Sequence, residues 1–265
     1  MAVMTETKGK SRSGAGDPAR TLELLWREAL PGAPAGRRGP RQGLTVDAVV
    51  DTALGLADGG GLDAVTMRAV AQRLGVTPMT LYTYVPGKAE LIDLMLDAAF
   101  LRMDRPPFAP EEPWRARVTA VADANRALHL RHPWLVDLRV VRAPLGPGVM
   151  AKYEYELGAF EGLGLDDVAR DSALTYLLGS VQASARAELD ARAVERESAM
   201  SDAEWWDTHE PLLARVFDEA RFPLAARVGE ASAIAYDGVY DAEHAYAFGL
   251  ARTLDGLAAL GGPGA

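Results

Sequence analysis

Between Thr66 and Lys88 the chain runs TMRAVAQRLGVTPMTLYTYVPGK, and this stretch leaves little choice of local fold. Met67, Val70, Ala71 and Leu74 recur at the spacing of one helical face. Thr66 is a good N-cap, because its hydroxyl can accept a bond from a free amide of the first turn. Gly75 stops the helix, since glycine enters positive φ at no steric cost. A second apolar set, Val76, Leu81 and Val85, resumes after a turn too short for parallel packing. The two helices must therefore cross steeply, and small Ala71 lets their backbones approach. Pro78 suits the first turn of the second helix, where its missing amide is not needed. Pro86-Gly87 is expected to end it. The pattern predicts a helix-turn-helix.

Charge then says what this unit faces. The chain carries a net charge of −9, yet the segment from Ala64 to Ala89 holds Arg68, Arg73 and Lys88 and no acid. A neutral-to-basic patch on an acidic protein is the footprint of a phosphate-facing surface. Thr77, Thr80 and Thr83, with Tyr82 and Tyr84, give the second helix a hydroxyl-rich outer face around Met79. Hydroxyls contact phosphates, and threonine methyls can contact the thymine methyl in the major groove. Residues 1–43 carry 8 basic and 4 acidic side chains, residues 44–103 carry 4 and 7, and the remainder 16 and 26. Most of the molecule should repel DNA, so contact must be confined to the N-terminal end.

At 265 residues and 49% hydrophobic, the chain can bury a substantial core in one or two domains. It has no Cys, which excludes disulfides and thiolate metal sites. No apolar run approaches the roughly 18 residues needed to span a bilayer. The basic N-terminus lacks the apolar core of a secretory signal. A cytoplasmic protein with no membrane partner is the expectation. Helix formers dominate and alternating β-branched runs are scarce, so the fold class should be all-α.

Along the chain, residues 1–43 read as a basic, flexible extension. Asp17-Pro18 opens a short helix with Leu22, Leu25, Trp26 and Ala29 on one side. Arg37, Arg38 and Arg41 follow in PGAPAGRRGPRQG, either as an arm entering a minor groove or as a solvated linker. Residues 44–103 form the DNA-binding domain and a linking helix. Thr45 caps its first helix, which buries Val46, Val49, Val50, Ala53, Leu54 and Ala57 and stops at Asp58-Gly59-Gly60-Gly61. Residues 104–265 form a larger helical domain. Helices are expected over Trp114–His132 with Val118, Val121, Ala122, Asn125 and Leu128 or His129 on one stripe, over Val149–Leu163 with Tyr153, Leu157 and Phe160 on one stripe, and from Asp166 towards Glu195. Ser201 to Glu204 is a capping-box signature, and Pro211 should kink or split the helix it starts. Residues 221–240 fit no clear pattern. A last helix follows Asp241, with Ala245, Phe248, Gly249, Arg252 and Gly256 on a flat face suited to pairing in a four-helix dimer interface.

Residues 44–95, LTVDAVVDTALGLADGGGLDAVTMRAVAQRLGVTPMTLYTYVPGKAELIDLM, resemble the tetracycline-repressor (TetR) family of dimeric bacterial regulators. The combination is LGV, then LY, then a Lys opening the next helix. The ending HAYAFGLARTLDGL looks like the C-terminal branch of the tetracycline repressor itself. By that resemblance Arg68 and Thr77, Pro78 and Met79 approach base edges. Thr66, Thr80, Tyr82, Tyr84 and Lys88 hold phosphates, and Thr83 does either. The implied function is a homodimeric repressor that binds a palindromic operator in double-stranded DNA and is released by a small-molecule effector.

The resemblance also implies an effector pocket in the second domain, and here the sequence departs from the tetracycline-binding members. Their linking-helix His falls on Met103, their Asn on Val121, their second His on Arg139 and their Thr on Arg142. Arg supplies no hard oxygen for Mg²⁺, so tetracycline–magnesium is not the expected ligand, and neither a metal nor a cofactor is expected. Met103, Val121, Asn125, His129, Trp134, Arg139, Tyr153, Glu156, Phe160, Tyr176 and Gln182 are the candidate lining, apolar and aromatic with scattered polar groups. Arg139 and Glu156, if both are buried, should orient a polar ligand. The four His show no metal spacing, and neither a phosphate loop nor GxSxG occurs. No catalytic residue is therefore assigned. Two other readings stay open: an enzyme with a site in the helical bundle, and a ligand-independent architectural DNA binder.

Overall fold

The computed structural model describes residues 13, 14, 16–29, 43–140, 142–236 and 240–260, and they form twelve helices and no β-strand. Residues 1–12 and the basic segment with Arg37, Arg38 and Arg41 lie outside the described residues. Helix α1 (Pro18–Leu25) is capped by Asp17, whose carboxylate accepts the amides of Ala19 and Arg20. The expected inward face is rotated: Thr21, Leu24 and Leu25 are buried, while Leu22 is 46% exposed and Ala29 is exposed. Two turns are too few for periodicity to fix the face. The anchors at either end, Asp17 on Glu90 and Trp26 on Leu145, set it instead.

Helix α2 (Val46–Ala64) starts at Thr45, which accepts the Ala48 amide at 3.0 Å. Its regular part stops at the predicted glycines, where Gly61 sits at φ +69, but one more turn carries the element to Ala64. Helices α3 (Met67–Arg73) and α4 (Pro78–Tyr82) make the helix-turn-helix, and α4 ends sooner than Pro86-Gly87 would dictate. Helix α5 (Lys88–Leu101) buries residues all round, among them Leu91, Ile92, Leu94, Met95 and Leu96. A helix apolar on every side needs neighbours on every side. Accordingly α1, α2 and α8 all pack on it.

The second half is built on α6 (Trp114–Arg131) and α9 (Asp167–Ser198), which pack along each other, with α12 (Ala242–Leu260) laid across both. Val118, Val121, Ala122, Asn125 and Leu128 form the buried stripe of α6, as the spacing predicts. The 32 residues of α9 span about 48 Å at 1.5 Å per residue. Short α7 (Trp134–Asp137) turns the chain back towards α2. Helix α8 (Pro147–Gly158) differs from expectation in both bounds and face. A Cβ on Gly148 would lie 2.0 Å from the Asp97 carbonyl oxygen, so the 148, 152, 156 edge is pressed against α5. That edge buries Lys152 and Glu156 and leaves Tyr153 42% exposed. Helix α10 (Asp202–Leu213) has the Ser201–Glu204 capping box and ends two residues past Pro211, and α11 (Pro223–Tyr236) buries none of its residues.

Two apolar cores result. One joins α1 to α5 with Leu128, Trp134, Leu135 and Leu138, and the other joins α6, α9, α12 and the end of α8. Each fully buried Leu or Val adds about 1.5–3 kcal/mol of stabilisation before its lost side-chain entropy is counted. Because the first core already contains side chains from α6 and α7, the N-terminal half is fastened to the rest by packing.

Candidate functional site

The outward surface of α3 and α4 is set by a few local bonds. Thr66 Oγ1 accepts the Ala69 amide at 3.0 Å and opens α3. The helix closes when Gly75, at φ +70, lets its own amide reach the Gln72 carbonyl and the Val76 amide reach that of Ala71. This double closure is a Schellman motif. Thr77 Oγ1 accepts the Thr80 amide at 3.2 Å and opens α4. Leu81 and Val85, both wholly buried, then fasten α4 inwards.

Those anchors leave Arg68, Thr77, Pro78, Met79, Thr80, Tyr82 and Thr83 exposed on one side, and Met79 reaches 74% exposure. Arg68 and Arg73 form no ion pair among the described residues, whereas Arg20, Arg27, Arg102, Arg115, Arg126 and others each hold a carboxylate. Their cationic groups are thus available to an outside anion. Thr83 Oγ1 donates to the Thr80 carbonyl at 2.6 Å, which turns its methyl outwards or its lone pairs to solvent. Tyr84 is half-buried against the first core. Lys88 is also half-buried, and its ammonium donates to the Leu62 carbonyl at 2.9 Å, which ties the start of α5 to the end of α2.

The effector-lining candidates divide into separate places. Asn125 and Glu156 meet in the interior, with Asn125 Nδ2 2.5 Å from Glu156 Oε1 and 2.9 Å from the Val121 carbonyl. Lys152, which periodicity did not single out, donates to Glu156 at 2.7 Å and sits 4.9 Å from the centre of the Phe100 ring. One turn along α6 from Asn125, the Nδ1 of His129 is buried with no partner among the described residues. Burial, helped by the charges of Lys152 and Arg186, pushes the His129 pKa down to about 4, so the imidazole is neutral at pH 7. Burial also pulls the Lys152 ammonium down, and the Glu156 carboxylate opposes that shift. Val121 and Phe160, both wholly buried, belong to the apolar core beside this group.

The other candidates stand apart. Gln182 donates to the Val136 carbonyl at 3.3 Å, bracing α9 on α7. Trp134 is buried, and its indole N–H reaches Asp58 on α2 at 2.9 Å, beside His132 on the same oxygen at 2.8 Å. Met103 lines a groove of ≈ 480 Å³ between α2, α5 and α6. Arg139, Tyr153 and Tyr176 are exposed, so Arg139 and Glu156 are not both buried and do not act together on a ligand. Tyr153 instead donates to Asp171 at 2.8 Å, and Tyr176 faces a groove between α9 and α12. Glu156 is buried because α8 turns this edge towards α5, and its ionic partner there is Lys152, one turn away on the same helix. Four-residue spacing lets Lys152 and Glu156 meet on one helix face but does not say whether that face is buried. Only the close approach at Gly148 turns them inwards.

This interior group is polar and enclosed, with Asn125, Lys152 and Glu156 all buried. A neutral imidazole with an unused nitrogen beside a carboxamide and a buried ion pair offers both donors and acceptors. Among the described residues, no set of three or more His, Asp or Glu side chains gathers as a metal site. Nor is any described helix long and apolar enough to cross a membrane.

Comparison with known proteins places both halves. The family described as "Bacterial regulatory proteins, tetR family" matches residues 49–95, and "Tetracyclin repressor-like, C-terminal domain" matches residues 106–260. The HTH-type transcriptional repressor DrrR1 of Streptomyces coeruleorubidus is 41% identical over 251 residues, covering 94% of this chain and 88% of the relative. Among solved structures, Streptomyces coelicolor ActR in complex with actinorhodin superposes with a TM-score of 0.68 at 27% identity, over 85% of this chain and all of that one. ActR in complex with (S)-DNPA gives 0.64 at 28% identity, over 82% of this chain and 98% of that one. The helix-turn-helix with its acid-free face, the all-helical second half and these matches agree, and the chain belongs to the TetR family of bacterial transcriptional regulators.

Proposed function

We propose that the protein is a homodimeric repressor that binds a palindromic operator and is released by a small-molecule effector, without catalysing a reaction. The observation that carries this reading is the contrast in charge and exposure at α3 and α4. An acid-free surface with unpaired Arg68 and Arg73, exposed Met79 and a run of threonines projects from a chain of net charge −9. Such a face has no counter-charge of its own, and duplex DNA supplies one. Two copies in a two-fold pair would read successive major grooves about 34–36 Å apart. Arg68, Thr77, Pro78 and Met79 are assigned to base edges, and Thr66, Thr80, Tyr82 and Thr83 to phosphates. Lys88 and Tyr84, being half-buried, hold the frame of the unit and touch phosphate only at its edge.

The second half takes the effector. Asn125, His129, Lys152 and Glu156 supply the polar anchor, with Val121 and Phe160 as the apolar wall. The two ligand complexes of ActR support a small-molecule effector for this chain too. A ligand releases DNA only through its differential affinity for the two states. The reading is tested by retaining genomic DNA fragments on the purified protein at low salt and sequencing them. Enrichment of a short palindrome is expected, with Arg68→Ala relaxing preference at one position of each half-site. Uniform retention of unrelated fragments would instead identify an architectural binder.

A further inference from the structure

Residues 13–29 lie outside both matched family segments, yet those of them that the structure describes, 13, 14 and 16–29, bridge the two halves of the molecule. Ser13 Oγ and the Gly14 amide both donate to Asp93 Oδ1, at 2.6 and 2.9 Å, and the Asp17 amide donates to Glu90 at 3.1 Å. These acceptors belong to a row of buried carboxylates along α5, Glu90, Asp93 and Asp97, at three- and four-residue spacing. The third, Asp97, accepts the Val149 amide at 2.9 Å and so holds α8. On the effector side, the Ser13 amide donates to the Arg139 carbonyl at 3.3 Å, and the Trp26 indole donates to the Leu145 carbonyl at 2.7 Å. Arg27 pairs with Asp47 near the start of α2. Leu24 and Leu25 add apolar burial in the first core.

A buried carboxylate is costly unless hydrogen-bonded donors surround it. The donors that satisfy Asp93 come from this segment, so the row on α5 and the extension are matched to each other. The segment touches α2, α5 and the loop before α8 together, and these are the parts whose relative angle places α3 and α4. We propose that residues 13–29 are a strap that fixes the angle of α5 against the second half, with Ser13 and Trp26 as positioning residues for DNA reading. The proposal rests on the DNA-reading assignment only for its consequence, since the angle can be measured without DNA.

The chain has no native Cys, so Met79→Cys with Glu154→Cys gives two exposed labelling sites, one on α4 and one on α8. Spin-labelled protein diluted with unlabelled chain reports the distance within one protomer. The parent should give one narrow distance distribution. Ser13→Ala with Trp26→Phe, which keeps every charge and an aromatic ring at position 26, should broaden it, and deletion of residues 1–29 should broaden it further. In unlabelled protein the double substitution should weaken binding to a retained fragment about five-fold. Unchanged distance distributions in both variants would overturn the proposal, as would a broadened distribution with unchanged affinity for a fragment that the parent retains specifically. If the distribution broadens in a protein that retains no DNA at all, the strap stands and the DNA reading falls. Should the deletion fail to fold, the double substitution alone decides.

Discussion

His129 shows how one side chain can make stability depend on pH. Its folded pKa of about 4 lies below the ordinary 6.5, first because of burial and then because Lys152 and Arg186 repel a second cation. Below pH 6.5 an unfolded chain takes up a proton that the folded chain refuses until about pH 4. Stability is therefore lost as pH falls from 6.5 to 4, by about 3–4 kcal/mol at most from this group. Asp93 and Asp97 act the other way, because burial raises both and the folded state then takes their protons first. Subtracting a variant cancels these opposing groups. His129→Gln should remove the acid loss, so the difference in urea stability between variant and parent should grow steadily from pH 6.5 to 4. A constant difference across that range would show that the imidazole is not held neutral. Lys152 and Glu156 make a second residue-scale case. Lys152→Met leaves a buried carboxylate with only Asn125 for company and should cost about 3–5 kcal/mol, whereas Lys152→Met with Glu156→Leu should recover most of that loss. Thermal melts of the two variants at pH 7 check this, and equal Tm values would contradict it.

At the scale of elements, α8 depends on the approach of Gly148 to α5. A methyl there would overlap the Asp97 carbonyl and crowd the Leu101 amide at 2.8 Å, both backbone atoms that cannot swing away. Gly148→Ala should therefore push the helices apart and cost about 1–3 kcal/mol, with the loss of hydrogen-exchange protection concentrated on Asp97–Leu101 and Val149–Lys152. Protection lost evenly over the whole chain would instead mean general destabilisation. This contact also marks where sequence reading ran out. The caps at Thr45, Thr66, Ser201 and Asp241, the stop at Gly75 and the stripe of α6 were legible because each depends on residues within a turn or two. The exposed face of α4 was legible because charge and hydroxyl content survive any packing. The face of α8 was not, since it is decided by a glycine meeting a helix some fifty residues away. The same holds for α1, where Asp17 and Trp26 find partners on α5 and beside α8, and for Trp134, whose bond to Asp58 no local pattern announces. The interior of the second half is visible in sequence only as residue types, and tertiary contacts sort them into a buried polar group, a bracing set and a surface set.

The whole molecule works as proposed only if two copies hold their recognition helices at a fixed separation. The face that would join them is visible in α9 and α12, where Ser172, Tyr176, Phe248, Gly249 and Gly256 line an open groove of ≈ 730 Å³. Small residues there allow two helix pairs to pack closely, and exposed Phe248 and Leu260 gain burial when they do. A Cβ at Gly249 or Gly256 meets nothing within 4 Å of its own chain. Substitution at these positions should therefore spare the monomer, and replacing a helical glycine even favours the helix by about 0.5–1 kcal/mol. Gly249→Glu with Gly256→Glu would set carboxylates against their copies across the two-fold axis, and like charges that close cannot both be desolvated. The variant should sediment as a monomer with unchanged or slightly higher Tm. Its DNA binding should then reveal the arithmetic of the pair: one reading head neutralises half the phosphates, so the slope of log affinity against log salt should fall by about half. A monomer that keeps the parent's slope would mean that a single copy already makes every phosphate contact, and the two-headed reading would have to be given up.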